Sequence, residues 1–392
     1  MAEVIEDFHS EPVGRIGLIA LPGCEELAKK IDAYLIGWQK DANTVTTEDP
    51  AEAPEKEISY LVNMSVERFS TGEAKVIIKQ TVRGRDLFIL CDMFNYGVTY
   101  RMYERDIPTS PDAHYANLKR VISAIAGKAK RITVIMPMLY EGRQTKRNSR
   151  ESLDCANALQ ELCSFMGVHN ILTFDAHDPV VQNAIPLYGF ENVKPTYQMI
   201  KSIVNHIDDL NMDRGHLMIV SPDEGGMDRG IYYSTVLQVE LGMFYKLIAY
   251  LSAENGVCSV RGNEFLGGDV AGKDIIIVDD MISLGENLVD VAKKLKESGA
   301  KRIFICAAFG LFCNGLKHFD RAYEDGLIDK VFTTNLIYRS PELLKREWYV
   351  EVDLSKYISL LVGTLNHDVS VGQLLNPAGR IKKLLIERGL RK

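Results

Sequence analysis

The 392-residue chain sets 46 lysines and arginines against 53 aspartates and glutamates, a formal net charge of −7 that argues against a nucleic-acid-binding surface. With 46% hydrophobic and 25% charged residues it has the composition of a soluble globular protein, and its length gives room for two domains. No apolar run is long enough to span a bilayer, and the acidic opening MAEVIEDFHSEP has no apolar core of the kind a signal peptide needs.

In chain order, residues 15–21 read as a strand, followed by Pro22-Gly23 and a helix over 24–39. Residues 40–56 are polar, acidic and proline-containing, as expected of a surface loop. Strand-like runs follow at 58–63, 74–79 and 86–91. Between the first two lies Arg68-Phe69-Ser70-Thr71-Gly72-Glu73, a turn carrying an aromatic ring and a carboxylate. Residues 92–113, rich in aromatics, Arg, Asp and Pro, predict an ordered loop. A helix over 116–126 and a strand over 131–136 come next.

After that strand stands Tyr140-Glu141-Gly142-Arg143-Gln144-Thr145-Lys146-Arg147-Asn148-Ser149-Arg150, with four cations within eight residues. The forked donors of arginine suit phosphate oxygens. A solvated charged loop is the alternative, and the position at a strand's C-terminal end weighs against it. A helix over 152–166 leads into a strand over 170–174 that ends in Asp175-Ala176-His177-Asp178, a histidine between carboxylates and a candidate for metal or phosphate work. A helix over 199–207 and a strand over 217–220 lead to Ser221-Pro222-Asp223-Glu224-Gly225-Gly226, where paired glycines let a backbone approach a ligand closely.

The most informative stretch begins at Asp274. Ile275, Ile276, Ile277 and Val278 predict a parallel strand buried on both faces, stopping at Asp279-Asp280. A short turn through Ser283 and Gly285 opens a helical pattern with Leu288, Val291, Ala292 and Leu295 on one side and Gly299 as the stop, and a strand over 302–309 follows. Backbone N–H groups at such a turn favour a phosphate, and the two carboxylates can accept hydrogen bonds from sugar hydroxyls beside it. A strand end with two solvated carboxylates and a Ser283 cap is the other reading, and this stretch alone leaves both open. The basic tail, 376–392, is helix-compatible. Seven cysteines without CxxC pairing, mostly in apolar segments, predict buried free thiols in a reducing cytoplasm. The alternation of strands and helices implies an α/β architecture with mainly parallel sheets, divided near residue 190.

Taken together, these loops resemble the ribose-phosphate diphosphokinase (phosphoribosyl diphosphate synthetase) family, in collinear order over roughly residues 14–375. The resemblance implies two type I phosphoribosyltransferase-like domains, 14–190 on the ATP side and 191–375 with the ribose-5-phosphate loop, each a mainly parallel sheet flanked by helices, with 376–392 as a tail. It implies transfer of the β,γ-diphosphoryl group of ATP to the 1-hydroxyl of ribose 5-phosphate, with Mg²⁺, in a cytoplasmic homo-oligomer without nucleic-acid or membrane partners. Phe69, Thr71, Glu73, Arg143 and Gln144 would hold ATP, the Phe-containing turn covering adenine of a neighbouring subunit. His177 and Asp223 would anchor metal. Asp279 and Asp280 would take ribose hydroxyls, and Ser283, Gly285 and Asn287 the 5-phosphate.

Two segments depart from the family pattern. The phosphate turn, usually an acidic residue and two threonines, here reads Ser283, Leu284, Gly285, Glu286, Asn287. In the mobile loop after the strand near Phe244 the family has a lysine followed by arginines; here Lys246 is followed by Leu247 and Ile248, which leaves Lys246 and Arg261 as the catalytic cations. A nucleotide-binding regulatory homologue of weak activity and a phosphoribosyltransferase are the alternative functions.

Overall fold

The computed structural model describes residues 10–46, 59–144, 149–152, 154–249 and 259–391, with the backbone alone for 40–46, 246–249 and 259–263. They form two compact units. The first comprises residues up to Lys194 with Asn335–Tyr338 and Asp353–Asn376; the second comprises Pro195–Thr334, Arg339–Val352 and the residues from Pro377 on.

The first unit contains β1 (Ile16–Ala20), α1 (Glu25–Thr46), β2 (Met64–Arg68), β3 (Ala74–Ile78), β4 (Asp86–Leu90), β5 (Thr99–Met102), β6 (Arg105–Pro108), α2 (Pro111–Ile125), β7 (Arg131–Ile135), α3 (Asp154–Gln160), β8 (Asn170–Phe174) and β9 (Gly189–Val193). Its main sheet, β1-β4-β7-β8-β9, is parallel throughout. Leu87, Phe88, Ile89 and Leu90 of β4 are fully buried, as an interior strand of a sheet covered on both faces requires.

Several elements differ from the sequence reading, each for a local reason. α1 continues to Thr46, past the expected stop at 39, because no Gly or Pro interrupts it there. Residues 59–63 give only an isolated bridge, Leu61 to Leu18, and the strand forms at β2, where β3 supplies an antiparallel partner. α2 starts at Pro111, before the expected 116, since Ser110 accepts from the Ala113 N–H and proline takes the first position. The 92–113 loop contains the β5–β6 hairpin. The helix expected over 152–166 ends as a π-helical turn, Glu161–Phe165.

The second unit contains α4 (Thr196–His206), β10 (Leu217–Ser221), α5 (Met227–Leu237), β11 (Glu240–Ala249), β12 (Ser259–Leu266), β13 (Asp274–Ile282), α6 (Glu286–Glu297), β14 (Arg302–Gly310), α7 (Lys317–Glu324), β15 (Lys330–Thr334) and β16 (Tyr349–Val352). Its sheet runs β12-β11-β10-β13-β14-β15-β16, parallel except for β12 against β11. Then α8 (Ser355–Asn366) belongs to the first unit, where Ser359 Oγ donates to the Ile31 carbonyl of α1 at 3.4 Å. Residues 353–375, assigned by sequence to the second half, and Asn376 of the expected tail are therefore part of the first unit. The short α9 (Gly372–Leu375) precedes α10 (Ala378–Glu387), which lies in the second unit.

Each sheet carries the same clamp. Asp86 opens β4 and takes Arg131 Nε and Nη2 at 2.9 and 2.7 Å; Asp274 opens β13 and takes Arg302 Nε and Nη2 at 2.9 and 2.6 Å. In both, the partners stand opposite in strand register. Two-pronged pairing satisfies carboxylates that burial would otherwise make costly.

Candidate active site

In the second unit, β13 does not stop at its carboxylates. Asp279 pairs with Ala307 and Ile282 with Gly310, so Asp279 and Asp280 sit inside the strand, because β14 extends far enough to pair with them. On its other edge β13 pairs with β10 only as far as Ile277, which leaves its last part beside the turn that follows β10. That turn is close: a Cβ on Gly226 would come within 2.7 Å of Ser221 Oγ and 3.6 Å of the Val278 carbonyl. Asp223 is half-buried there, its Oδ1 accepting the Gly226 N–H at 3.2 Å.

Asp280 is buried, and its N–H donates to Asp279 Oδ1 at 2.8 Å. Burial first, then the charge of Asp280, pushes the Asp279 carboxyl well above the ordinary carboxylate range, while Arg229 on α5 pulls it down. Arg229 closes the stretch that begins at Ser221, and the sequence gives no role for it; it lies one helical turn past the paired glycines, and only the fold brings its charge to bear on Asp279.

Past Ile282 the chain turns through Ser283 and Leu284 to Gly285, the N-cap of α6 with φ 85°. Only glycine fits there: a Cβ would lie 2.3 Å from the Phe319 ring. Ser283 and Asn287 are half-buried and Gly285 is buried. The first turn of any helix offers N–H groups that the helix cannot itself satisfy, and its dipole favours an anion. Glu286 is exposed, and its Oε1 accepts from Asn314 Nδ2 at 3.0 Å. These residues set two carboxylates beside an anion-attracting helix start.

In the first unit, Phe69 stands at the tip of the β2–β3 hairpin, 51% exposed. The hairpin is closed by Phe69 N–H to Glu73 O and Gly72 N–H to Phe69 O, both 2.9 Å, and Thr71 Oγ1 lies 3.1 Å from Glu73 Oε2. Arg68 braces it by donating to the Gly72 carbonyl at 2.7 Å and lying over the Tyr100 ring. Gln144 donates to Glu141 Oε2 at 2.5 Å, and Arg143 beside it is exposed. Burial, then Asp154 and Asp112, push the Glu141 carboxyl up. Lys146 and Arg147 lie outside the described residues.

His177 follows β8 and is exposed. Its loop is fixed by Asp175, at φ 40°, whose N–H donates to Val193 O at 2.9 Å, and by Ala176 N–H to Asn192 Oδ1 at 3.0 Å. Backbone held at positive φ in a buried aspartate is the kind of local strain found at functional turns. Asp178 caps the following 3-10 turn through Val180 N–H at 2.9 Å. Among the described residues no three His, Cys, Asp or Glu side chains gather as a metal cage. Mg²⁺ does not need one, since it keeps waters and takes one or two carboxylates plus substrate phosphates. Asp223, in the second unit, is a pinned carboxylate of that kind, and His177, in the first, stands on a braced loop.

Lys246 and Arg261 lie on paired strands, Lys246 opposite Asn263 in the β11–β12 ladder, and residues 250–258 of the expected loop lie outside the described residues. The register shifts between Leu247 and Ile248, which pair with Gly262 and Val260, so Arg261 is the extra residue of a β-bulge opposite them. A cavity of 490 Å³ in the second unit, lined by Met212, Asp213, Arg214, Gln238 and Arg391, contains none of the motif residues.

Two family profiles match the chain: the "N-terminal domain of ribose phosphate pyrophosphokinase" over residues 16–165 and the "phosphoribosyl synthetase-associated domain" over residues 261–376. The ribose-phosphate pyrophosphokinase of Shewanella oneidensis is 29% identical over 319 residues, covering 79% of this chain and 90% of that one. That of Ureaplasma parvum is 28% identical over 277 residues, covering 70% and 76%. In fold, the crystal structure of phosphoribosylpyrophosphate synthetase from Mycobacterium smegmatis superposes with a TM-score of 0.70 at 22% identity, covering 90% of this chain and 99% of that one.

Proposed function

Because the chain belongs to the ribose-phosphate pyrophosphokinase family, we propose that it transfers the β,γ-diphosphoryl group of ATP to the 1-hydroxyl of ribose 5-phosphate, giving phosphoribosyl diphosphate and AMP for nucleotide biosynthesis. The observation that carries this reading is the β13–α6 connection, where Asp279 and Asp280 stand directly before an anion-attracting turn. Ribose hydroxyls donate to the carboxylates. The 5-phosphate takes the turn of Ser283, Gly285 and Asn287. Burial and the neighbouring Asp280 raise the proton affinity of Asp279.

ATP is assigned to the first unit, with Phe69, Thr71 and Glu73 at adenine and Arg143 and Gln144 at the phosphates. The exposure of Phe69 suits a ring that works on a neighbouring subunit of a homo-oligomer. Asp223 and His177 would hold Mg²⁺, which when bound neutralises phosphate charge and fixes the angle of attack. Positioning and charge neutralisation are what diphosphoryl transfer demands of the protein itself. Lys246 and Arg261 are assigned to the charge that develops on the transferred group, the bulge setting Arg261 opposite the positions where the family carries arginines. Five described cysteines are buried and Cys313 is exposed, while Cys258 lies outside the described residues; free thiols of this kind suit a reducing cytoplasm. Among the described residues no helix is long and apolar enough to cross a membrane.

A second reading, a weakly active regulatory homologue, is favoured by Leu247 and Ile248 alone. Measuring AMP from ATP and Mg²⁺, with and without ribose 5-phosphate, separates the two. AMP that depends on the sugar phosphate supports the enzyme. ATP binding without AMP, coupled to a change in a partner's activity, supports the regulator.

A further inference from the structure

Assigning the 5-phosphate to the 283–287 turn raises a conflict within this chain. Glu286 places a carboxylate at the first residue of α6, where the N–H groups and the dipole attract any anion. Bent back onto those groups, it would compete with the phosphate itself. The structure holds it elsewhere, since Asn314 Nδ2 donates to Glu286 Oε1 at 3.0 Å.

Asn314 owes its place to a loop fastened to the turn it serves. Leu311 and Phe312 donate their N–H groups to the Ile282 carbonyl at 2.9 and 3.1 Å, and Cys313 donates to the Ser283 carbonyl at 2.8 Å. Phe312, buried at φ 47°, packs edge-on against Phe319 with centroids 5.1 Å apart. Phe319 is the same ring that Gly285 abuts. Gly315 N–H closes the loop onto Phe312 O at 2.8 Å. The turn, the helix start and the side chain that engages Glu286 thus share one packed support.

We propose that Asn314 is a positioning residue for ribose 5-phosphate: it draws the Glu286 carboxylate aside and keeps the first turn of α6 open to the 5-phosphate. This rests on the reading of the 283–287 turn given above. Asn314 and Glu286 are both exposed, so neither variant threatens the core.

The test is calorimetric titration of the full chain with ribose 5-phosphate, together with kcat and KM. Asn314→Ala should weaken sugar-phosphate binding roughly three- to tenfold, the net worth of one ordinary hydrogen bond. kcat and the KM for ATP should stay unchanged. Glu286→Gln should bind ribose 5-phosphate at least as tightly as wild type, and adding Asn314→Ala to it should cause no further loss. Added salt should shrink the effect of Asn314→Ala, because it screens carboxylate from phosphate. Wild-type binding in Asn314→Ala, or the same loss in both backgrounds, overturns the proposal while leaving the turn assigned. If wild type itself binds no ribose 5-phosphate, the turn assignment falls and this proposal with it.

Discussion

Gly285 and Asp279 show how single residues shape the proposed sugar-phosphate end. Gly285→Ala places a methyl group where Phe319 already lies and forces an alanine into left-handed backbone. Chemical denaturation should register a loss of roughly 2–4 kcal/mol, the combined cost of overpacking and strained φ, and ribose 5-phosphate binding should fall with it. An unchanged midpoint would mean that Phe319 moves freely. For Asp279 the sign is opposite. Its folded-state pKa is raised, by burial and by Asp280, so folding favours the protonated form. Wild type therefore gains stability as pH falls from above the raised value toward the ordinary carboxylate range, and loses it as pH rises. Asp279→Asn, permanently neutral, should unfold at a higher temperature than wild type near pH 8, with the gap closing toward pH 4. A gap independent of pH would remove the assignment of the shift to this carboxyl.

At the scale of elements, the exposed tip of the β2–β3 hairpin separates binding from folding. Phe69→Ala removes a ring that supports no core, so stability should change by less than about 0.5 kcal/mol while the KM for ATP rises several-fold. A large fall in melting temperature would instead make Phe69 a packing residue. On the β11–β12 ladder, Lys246→Ala and Arg261→Ala should each lower kcat on the order of 10²–10³-fold with nucleotide binding nearly intact, the pattern of donors used mainly in the transition state. Arginine at 247 and 248 should raise the rate. Wild-type turnover in both alanine variants would sink this assignment. These two strand pairs also mark what the sequence made legible. Buried parallel strands such as β10 and β13 announce themselves through unbroken apolar runs, and their C-terminal loops follow from them. The β11–β12 ladder does not, because pairing across a bulge depends on register between distant residues, which composition does not encode. The same holds for Arg229 and Asn314, ordinary polar residues until the fold sets them beside Asp279 and Glu286. The end of β13 was misread because its extra residues pair only with an equally long β14.

Across the whole molecule the two units repeat one strand and use it differently. Residues 86–97 read Asp-Leu-Phe-Ile-Leu-Cys-Asp-Met-Phe-Asn-Tyr-Gly, and residues 274–285 read Asp-Ile-Ile-Ile-Val-Asp-Asp-Met-Ile-Ser-Leu-Gly. Both begin with the arginine-clamped aspartate, which puts Asp92 in the place of Asp280 and Gly97 in that of Gly285. In the first copy the carboxylate is engaged: Asp92 accepts Phe94 N–H at 2.9 Å and Tyr338 N–H at 2.7 Å. Tyr338 fills the rest, its ring 5.0 Å from Tyr96 and against Gly97, and the β5–β6 hairpin follows where α6 follows the second copy. A turn closed by its own chain and lacking a helix start has no place for a sugar phosphate. Titration should accordingly give one ribose 5-phosphate per chain. Asp92→Asn should cost about 1–3 kcal/mol of stability, the worth of charge-assisted bonds to backbone N–H groups, and leave the KM for ribose 5-phosphate unchanged. Asp280→Asn should do the reverse, weakening the sugar phosphate more than ATP. Two sugar phosphates per chain, or equal KM effects from the two variants, would mean that both copies still bind, and that the division of labour between the units has been misassigned.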